Sequence, residues 1–285
     1  MPRLAVERLC CEYRSLTFDC IWFPGETLGT NEVENLLDEI GAVNTGRTVL
    51  DYGIFDPAAT AEQKHTFLQR TIWCVIRHEG HPVGVVYNVA LGELAGKPVI
   101  HLGLVKFSRR LGGDSIIAAY MPLCIGNLLN FGPFWATSIS HVPFIIGCVS
   151  ELAHDVYPGI QQQDEVLRDH YAEHLRLLRD EYIVPVLGCH PESVCERTFR
   201  IQGTLADVRH GFNLRAASLP RYDDESCNSF WENWLRTERD EQGEVCVVDD
   251  LIQIGEIDYR FLGKKMFYDR VNALKLTSPL GSSRR

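Results

Sequence analysis

"LVKFSRRLGGDSI", residues Leu104 to Ile116, decides how this chain is read. An apolar run ends in Lys106, Arg109 and Arg110, two glycines follow, and Asp114-Ser115 opens a second apolar run. Between Glu93 and Asp114 there is no acidic residue, whereas Lys97, Lys106, Arg109 and Arg110 are all basic. The whole chain carries a net charge of −10, so this is a local reversal of sign. Such an island draws a polyanion to one place. Adjacent glycines let successive backbone N–H groups point into one concavity, and a helix N-terminus adds partial positive charge. The alternative is a plain tight turn, which Gly-Gly after a strand also makes.

The flanks set this stretch between a strand and a helix. "TIWCVIRHEGHPVGVVYNVALG" (71–92) reads as two β-branched strands joined by a hairpin, and "KPVIHLGLVKF" (97–107) as a third strand. "DSIIAAYMPLCIGNLLNF" (114–131) is apolar nearly all round, which is the pattern of a buried helix. "PFWATSIS" (133–140) reads as a strand, and "VPFIIGCVSELAHDV" (142–156) as a helix with Pro143 at its start.

Upstream, "TNEVENLLDEIGAV" (30–43) predicts a helix capped by Thr30 or Asn31 and stopped at Gly41. Its apolar stripe is Val33, Leu36, Leu37 and Ile40. "DPAATAEQKHTFLQR" (56–70) predicts another, with Asp56 as cap and Pro57 in the first turn. The order of elements predicts an α/β fold of mixed α+β type, one central mixed sheet flanked by helices.

Downstream, "QQQDEVLRDHYAEHLRLLRDEY" (161–182) reads as one long amphipathic helix with Val166, Tyr171, Leu175, Leu178 and Tyr182 on one side. "YIVPVLG" (182–188), "RTFRIQGTL" (197–205) and "EVCVVDDLIQIGEI" (244–257) are candidate strands. The acidic stretch 219–244 is a helix or an excursion. The tail from Thr277 is expected to be disordered.

With 285 residues and 45% hydrophobic content, the chain has ample material for a core. Its acidic balance disfavours nucleic acid as a partner. The ten cysteines include no Cys-x-x-Cys pair and several sit inside apolar runs, as in proteins of a reducing compartment. Residues 115–140 contain no charge, but Pro122, Gly132 and Pro133 interrupt them, so a buried helix and strand are expected rather than a membrane span. A soluble cytoplasmic protein without a signal-peptide core is the expectation.

Val105, Arg110, Gly113 and Ser115 together resemble motif A of the GNAT (acyl-CoA N-acyltransferase) superfamily. In that motif a strand ending in Val is followed by Arg/Gln-x-x-Gly-x-Gly/Ala opening a helix. Here Arg110 falls five residues after Val105, Gly113 eight and Ser115 ten. Ser115 stands where the family has Gly or Ala, and Asp114 is unusual beside a pyrophosphate. The likeness covers residues ~30–160 well, "WATSISHVPFIIGCVSELAHDVYPG" included, and the rest loosely.

The resemblance implies transfer of an acetyl or other short acyl group from acetyl-CoA, or another acyl-CoA, to a small-molecule amine acceptor. The acceptor attacks directly in a ternary complex. Backbone N–H groups of Leu111, Gly112, Gly113, Asp114 and Ser115, beside Arg110, would hold the pyrophosphate. Leu104, Val105, Lys106 and Phe107 would run along the pantetheine. His101, four residues before Val105, is the candidate base, and alternation puts it on one face with Gly103 and Val105; its alternative is a hydrogen-bonded core histidine. His141, ending the next strand, is the second candidate; its alternative is a loop or cap residue. The family often places a proton-donating tyrosine on the following helix. Alignment gives Gly147 or Cys148 there, so no acid is assigned.

The expected division is an N-terminal strand or arm (1–29), a GNAT-like domain (30–200), an extension completing or covering the sheet (201–276) and a disordered tail (277–285). A homodimer stays open. The rival from another class is a non-catalytic module that keeps the fold to bind CoA or a partner. His170 and His174, four apart, have a metal-binding spacing, set against a solvated helix face.

Overall fold

Two-residue turns fold the first third of the chain back on itself. The computed structural model describes residues 4–43, 53–108, 113–160, 165–203, 216, 219–239 and 243–278. Strands β1 (Arg8–Tyr13) and β2 (Leu16–Trp22) pair antiparallel. After helices α1 (Pro24–Thr27), α2 (Thr30–Val43) and α3 (Ala61–Leu68) come β3 (Thr71–His78), β4 (His81–Leu94) and β5 (Lys97–Phe107). Glu79-Gly80 and Ala95-Gly96, which close the last two hairpins, all have positive φ, as a turn that matches the twist of the flanking strands requires.

Beyond β5 come helix α4 (Gly113–Phe131), strand β6 (Phe134–Ser140), helix α5 (Pro143–Leu152) and strand β7 (His154–Tyr157). Helices α6 (Glu165–His170) and α7 (Ala172–Leu178) precede the short strands β8 (Val194–Cys195) and β9 (Arg200–Gln202). Helix α8 (Glu225–Trp234) leads to a small ribbon of β10 (Thr237–Arg239) and β11 (Val245–Val247). Strand β12 (Asp249–Ile257), helix α9 (Lys265–Ala273) and strand β13 (Lys275–Ser278) follow.

The main sheet has eleven strands in the order β13-β1-β2-β3-β4-β5-β6-β12-β9-β8, with β7 beside β12. Among the described strands, β5 and β6 are the single parallel pair. The protein is therefore a mixed α/β structure with a large, mostly antiparallel sheet flanked by helices. Helices α2, α3 and α7 bury Leu36, Ile40, Leu68, Leu175 and Leu178 on one face. On the other face, α4, α5 and α9 bury Ala118, Leu123, Val149 and Phe267. No helix among the described residues is long and apolar enough to cross a membrane.

Several expectations are corrected. Helix α2 runs through Gly41 to Val43. A mid-helix glycine costs about 1 kcal/mol, and full burial of Val43, worth about 1.5–3 kcal/mol, outweighs it. Helix α3 starts at Ala61, not after Asp56. Thr60 and Gln63 cap each other reciprocally there, while the Asp56 carboxylate accepts from Ala58 N–H in a separate turn. The long downstream helix is broken at Tyr171 and ends in a wider π-type turn over Arg179–Ile183. Tyr171, Leu175, Leu178 and Tyr182 are buried as the spacing predicts, but Val166 is 73% exposed.

"YIVPVLG" forms no strand, because Tyr182 and Ile183 carry the helical face into the core. Residues 154–156, predicted to continue α5, lie in β7. Thr277 and Ser278 lie in β13, paired with β1, rather than in a disordered tail; residues 279–285 lie outside the described residues. Residues 8–22 are an integral sheet hairpin, and the region from 201 onward supplies β12 beside β6.

A charge network ties β1 and α2 to this sheet. Asp19, 3% exposed, accepts from Arg8 Nη2 at 2.5 Å, from Arg77 Nη1 at 3.2 Å and from the Cys10 thiol at 3.2 Å. Arg77 also reaches Glu39 on α2. Burial alone would raise the Asp19 pKa; Arg8, the Cys10 thiol and Arg77 more than offset this and hold it below the ordinary carboxylate value.

Candidate functional site

Strands β5 and β6 pair from Val99↔Trp135 to Leu102↔Ser138 and then part. Beyond that point β5 stays with β4, Val105 opposite Val86 and Phe107 opposite Gly84. Meanwhile β6 stays with β12, Ile139 opposite Ile252 and Ser140 opposite Leu251. Two parallel strands that separate leave between them backbone groups with no partner strand, which is a natural seat for an extended polar chain.

A bulge marks the parting. Three steps of β5, from Leu102 to Val105, face two steps of β4, from Asn88 to Val86. Gly103 sits in it because a Cβ there would lie 2.7 Å from the Tyr87 carbonyl and 2.8 Å from its ring. The Tyr120 hydroxyl, on α4, donates to the Gly103 carbonyl at 3.1 Å.

The bulge also flips the face expected for the second half of β5. His101 packs on the α2–α7 side and Leu104 follows it there, whereas Val105 and Phe107 point toward α4. His101 therefore does not share a face with Val105. Lys106 is 8% exposed, and burial pushes its pKa down. Ser115 is half-buried in the first turn of α4, which opens at Gly113. Arg110, Leu111, Gly112 and the side chain of Asp114 lie outside the described residues.

The two histidines differ in kind. His101 is 2% exposed; its Nδ1 lies 3.0 Å from Thr137 Oγ1, and its ring packs at a tilt against Tyr182, centroids 4.4 Å apart. Tyr182 in turn shares a 2.8 Å hydrogen bond with Tyr87. Burial pushes the His101 pKa down to about 3, so the ring is neutral at neutral pH and a poor proton acceptor.

His141 follows the last residue of β6, where Ser140 Oγ accepts from Val142 N–H and Pro143 opens α5. Its Nδ1 lies 2.9 Å from Asp250 Oδ1, both residues being buried. A carboxylate that accepts from Nδ1–H selects the tautomer whose second nitrogen, Nε2, carries the ring's lone pair. Trp231 on α8 donates to the His141 carbonyl at 3.0 Å and fixes the backbone.

The sequence reading did not single out Asp250. Two adjacent acids inside the apolar strand "VVDDLIQI" were the available signal, because a buried carboxylate needs a partner. What the sequence lacked was the pairing of β12 with β6, which brings residue 250 to residue 141.

Tyr222 was missed as well. Its ring lies flat on Gly147 of α5, and a Cβ there would meet ring carbons at 2.4–2.7 Å. Asn228 holds it from both sides, accepting from Tyr222 N–H at 3.1 Å and donating to its carbonyl at 2.9 Å. Burial, with the neighbouring Cys148, raises the phenol pKa, so the hydroxyl keeps its proton. Thus the extension lays a tyrosine on the helix position where the alignment found none. Gly147→Ala is expected to displace this ring and cost about 1–3 kcal/mol, measured by chemical denaturation; an unchanged midpoint would show that the contact is soft.

His174 is not solvated. It is 4% exposed, edge-on to Trp135 at 4.9 Å, and burial lowers its pKa to about 4. Among the described residues no group of three or more His, Cys, Asp or Glu side chains is arranged to hold a metal ion. The sequence matches no protein-family model and no curated protein.

Proposed function

We propose that the protein is an acyltransferase of the GNAT kind, moving an acyl group from acyl-CoA to an amine acceptor. The observation that carries the reading is the parting of the single described parallel strand pair at a bulge, shortly before a nineteen-residue helix in the sequence. That arrangement leaves backbone groups for a pantetheine amide chain. It also places a helix N-terminus, with its partial positive charge, after a basic stretch of sequence.

The base in this reading is His141. An ammonium acceptor must lose a proton before its lone pair can attack the thioester carbonyl. Nε2 takes that proton, and Asp250 stabilises the imidazolium that forms. The enclosed, neutral His101 has a structural role, holding Thr137 and Tyr182 where the two strands begin to separate. Tyr222, its hydroxyl protonated, is the candidate donor to the departing thiolate. In turnover the N–C bond forms and the C–S bond breaks; of the two protons the ammonium nitrogen loses, one passes through His141 to solvent and the other ends on the leaving sulfur.

The test is CoA release, followed with a thiol reagent, across a panel of primary amines with acetyl-CoA and longer acyl-CoAs. Amine-dependent thiol release is expected; binding without release would make the protein a CoA-binding module instead.

A further inference from the structure

We infer that the cavity at the C-terminal end of α5 is a binding site for a basic amino acid, a ligand with a cationic side chain beside its own ammonium and carboxylate. The inference stands apart from the acyl-transfer reading. The cavity, of about 310 Å³, lies between the last turn of α5, strand β7 and the start of α8. Glu151, Asp155 and Asp224 bring negative charge to its lining and Lys264 brings positive charge. His154 also lines it; burial lowers its pKa, so the ring is neutral at neutral pH. Val156 and Ile160 add apolar surface.

Both signs of charge have bonding capacity left. Lys264 Nζ donates to the Glu151 carbonyl at 2.5 Å and to the Ala153 carbonyl at 3.2 Å. An ammonium has three donors, so one remains for an incoming carboxylate. Among the described residues neither Glu151 nor Asp155 forms an ion pair, and both are exposed. Asp224 caps α8, its Oδ1 accepting from Ser226 N–H at 2.8 Å and from Ser226 Oγ at 2.7 Å, which leaves Oδ2 for a ligand.

The charge balance decides the occupant. Three carboxylates against one ammonium give the lining an excess of two negative charges. That excess repels a plain carboxylic acid or a phosphate, and a simple polyamine would set like charge against Lys264. A basic amino acid answers both. Its two cationic groups meet the carboxylates, its carboxylate meets Lys264, and its methylenes cover Val156 and Ile160. The site is not that of the acceptor amine: α5 is about 15 Å long, and His141 stands before its first turn whereas the cavity adjoins its last.

The experiment is calorimetric titration of the full chain with L-arginine, with agmatine, which lacks the carboxylate, and with L-citrulline, which lacks the side-chain charge. L-Arginine is expected to bind saturably, and each of the other two about tenfold more weakly, the usual worth of one charged hydrogen bond. Lys264→Met should bring L-arginine down to the affinity of agmatine, and Asp155→Asn, at an exposed position, should weaken L-arginine while leaving the fold unchanged. Agmatine or L-citrulline binding as tightly as L-arginine would overturn the assignment, as would the absence of saturable heat at millimolar ligand. An unchanged affinity in Asp155→Asn would place the binding elsewhere and overturn it too. Should Lys264→Met fail to fold, judged by circular dichroism, the three ligands and Asp155→Asn decide.

Discussion

His141→Ala is expected to lower kcat for amine acylation at least a hundredfold while changing KM for the acyl donor little. A positioned base contributes roughly 10²–10⁴ in rate, and His141 has a carboxylate partner that His101 lacks. Its ring is held by Asp250 at 2.9 Å and its backbone by Trp231 at 3.0 Å, just past the end of β6. Added imidazole should restore part of the lost rate, because the cavity left at residue 141 is the shape of that base. Asp250→Asn should lower kcat too, since an amide can donate to Nδ1 and favour the wrong tautomer. A merely structural histidine would give variants with lower stability, unchanged kcat in the folded fraction and no imidazole rescue.

Asp19→Ala is expected to destabilise the fold by about 3 kcal/mol, near the lower end of the range for breaking a buried ion pair. The discount reflects the two arginines. Arg8 and Arg77 keep 35% and 20% of their side-chain surface in water, so neither becomes a fully buried, unpaired charge. The sign of the pH dependence follows from the lowered Asp19 pKa. The unfolded chain takes up the proton at higher pH than the folded one. The contribution is thus complete above the ordinary aspartate pKa, about 3.9, and is lost as pH falls through the lower folded value. Urea denaturation at pH 7 and at acid pH should show the wild type losing part of its margin and Asp19→Ala losing less. Parallel acid dependences would remove Asp19 from the account.

The elements that local chemistry governs were legible in the sequence. Gly80 and Gly96 sit in two-residue hairpin turns, and the runs around them alternate or stay apolar as strands do. Helix α4 was readable because an uncharged stretch of that length, interrupted by Pro122 and ended before Gly132-Pro133, fits a buried helix. The face of β5 was misread because one bulged residue reverses the alternation, and a bulge leaves only Gly103 as its trace. The break at Tyr171 was hidden because the apolar spacing continues across it; the tyrosine turns inward to donate to the Asp155 carbonyl.

The site was half legible for the same reason. His101 and His141 could be named from strand ends, but the partners that hold each ring lie far along the chain. His101 is silenced by enclosure, and His141 is oriented by an aspartate 109 residues away. Tyr222 reaches Gly147 only through the packing of α8 against α5, which no local pattern records.

The central claim is that the parting of β5 and β6 receives an acyl-CoA. The most direct test is a crystal structure, or a set of amide chemical shifts, of the full chain with acetyl-CoA at saturating concentration. The account predicts hydrogen bonds or shift changes confined to the backbone of Leu104–Phe107 and to the first turn of α4. Binding that leaves these residues unperturbed, or no binding at millimolar ligand, would contradict it.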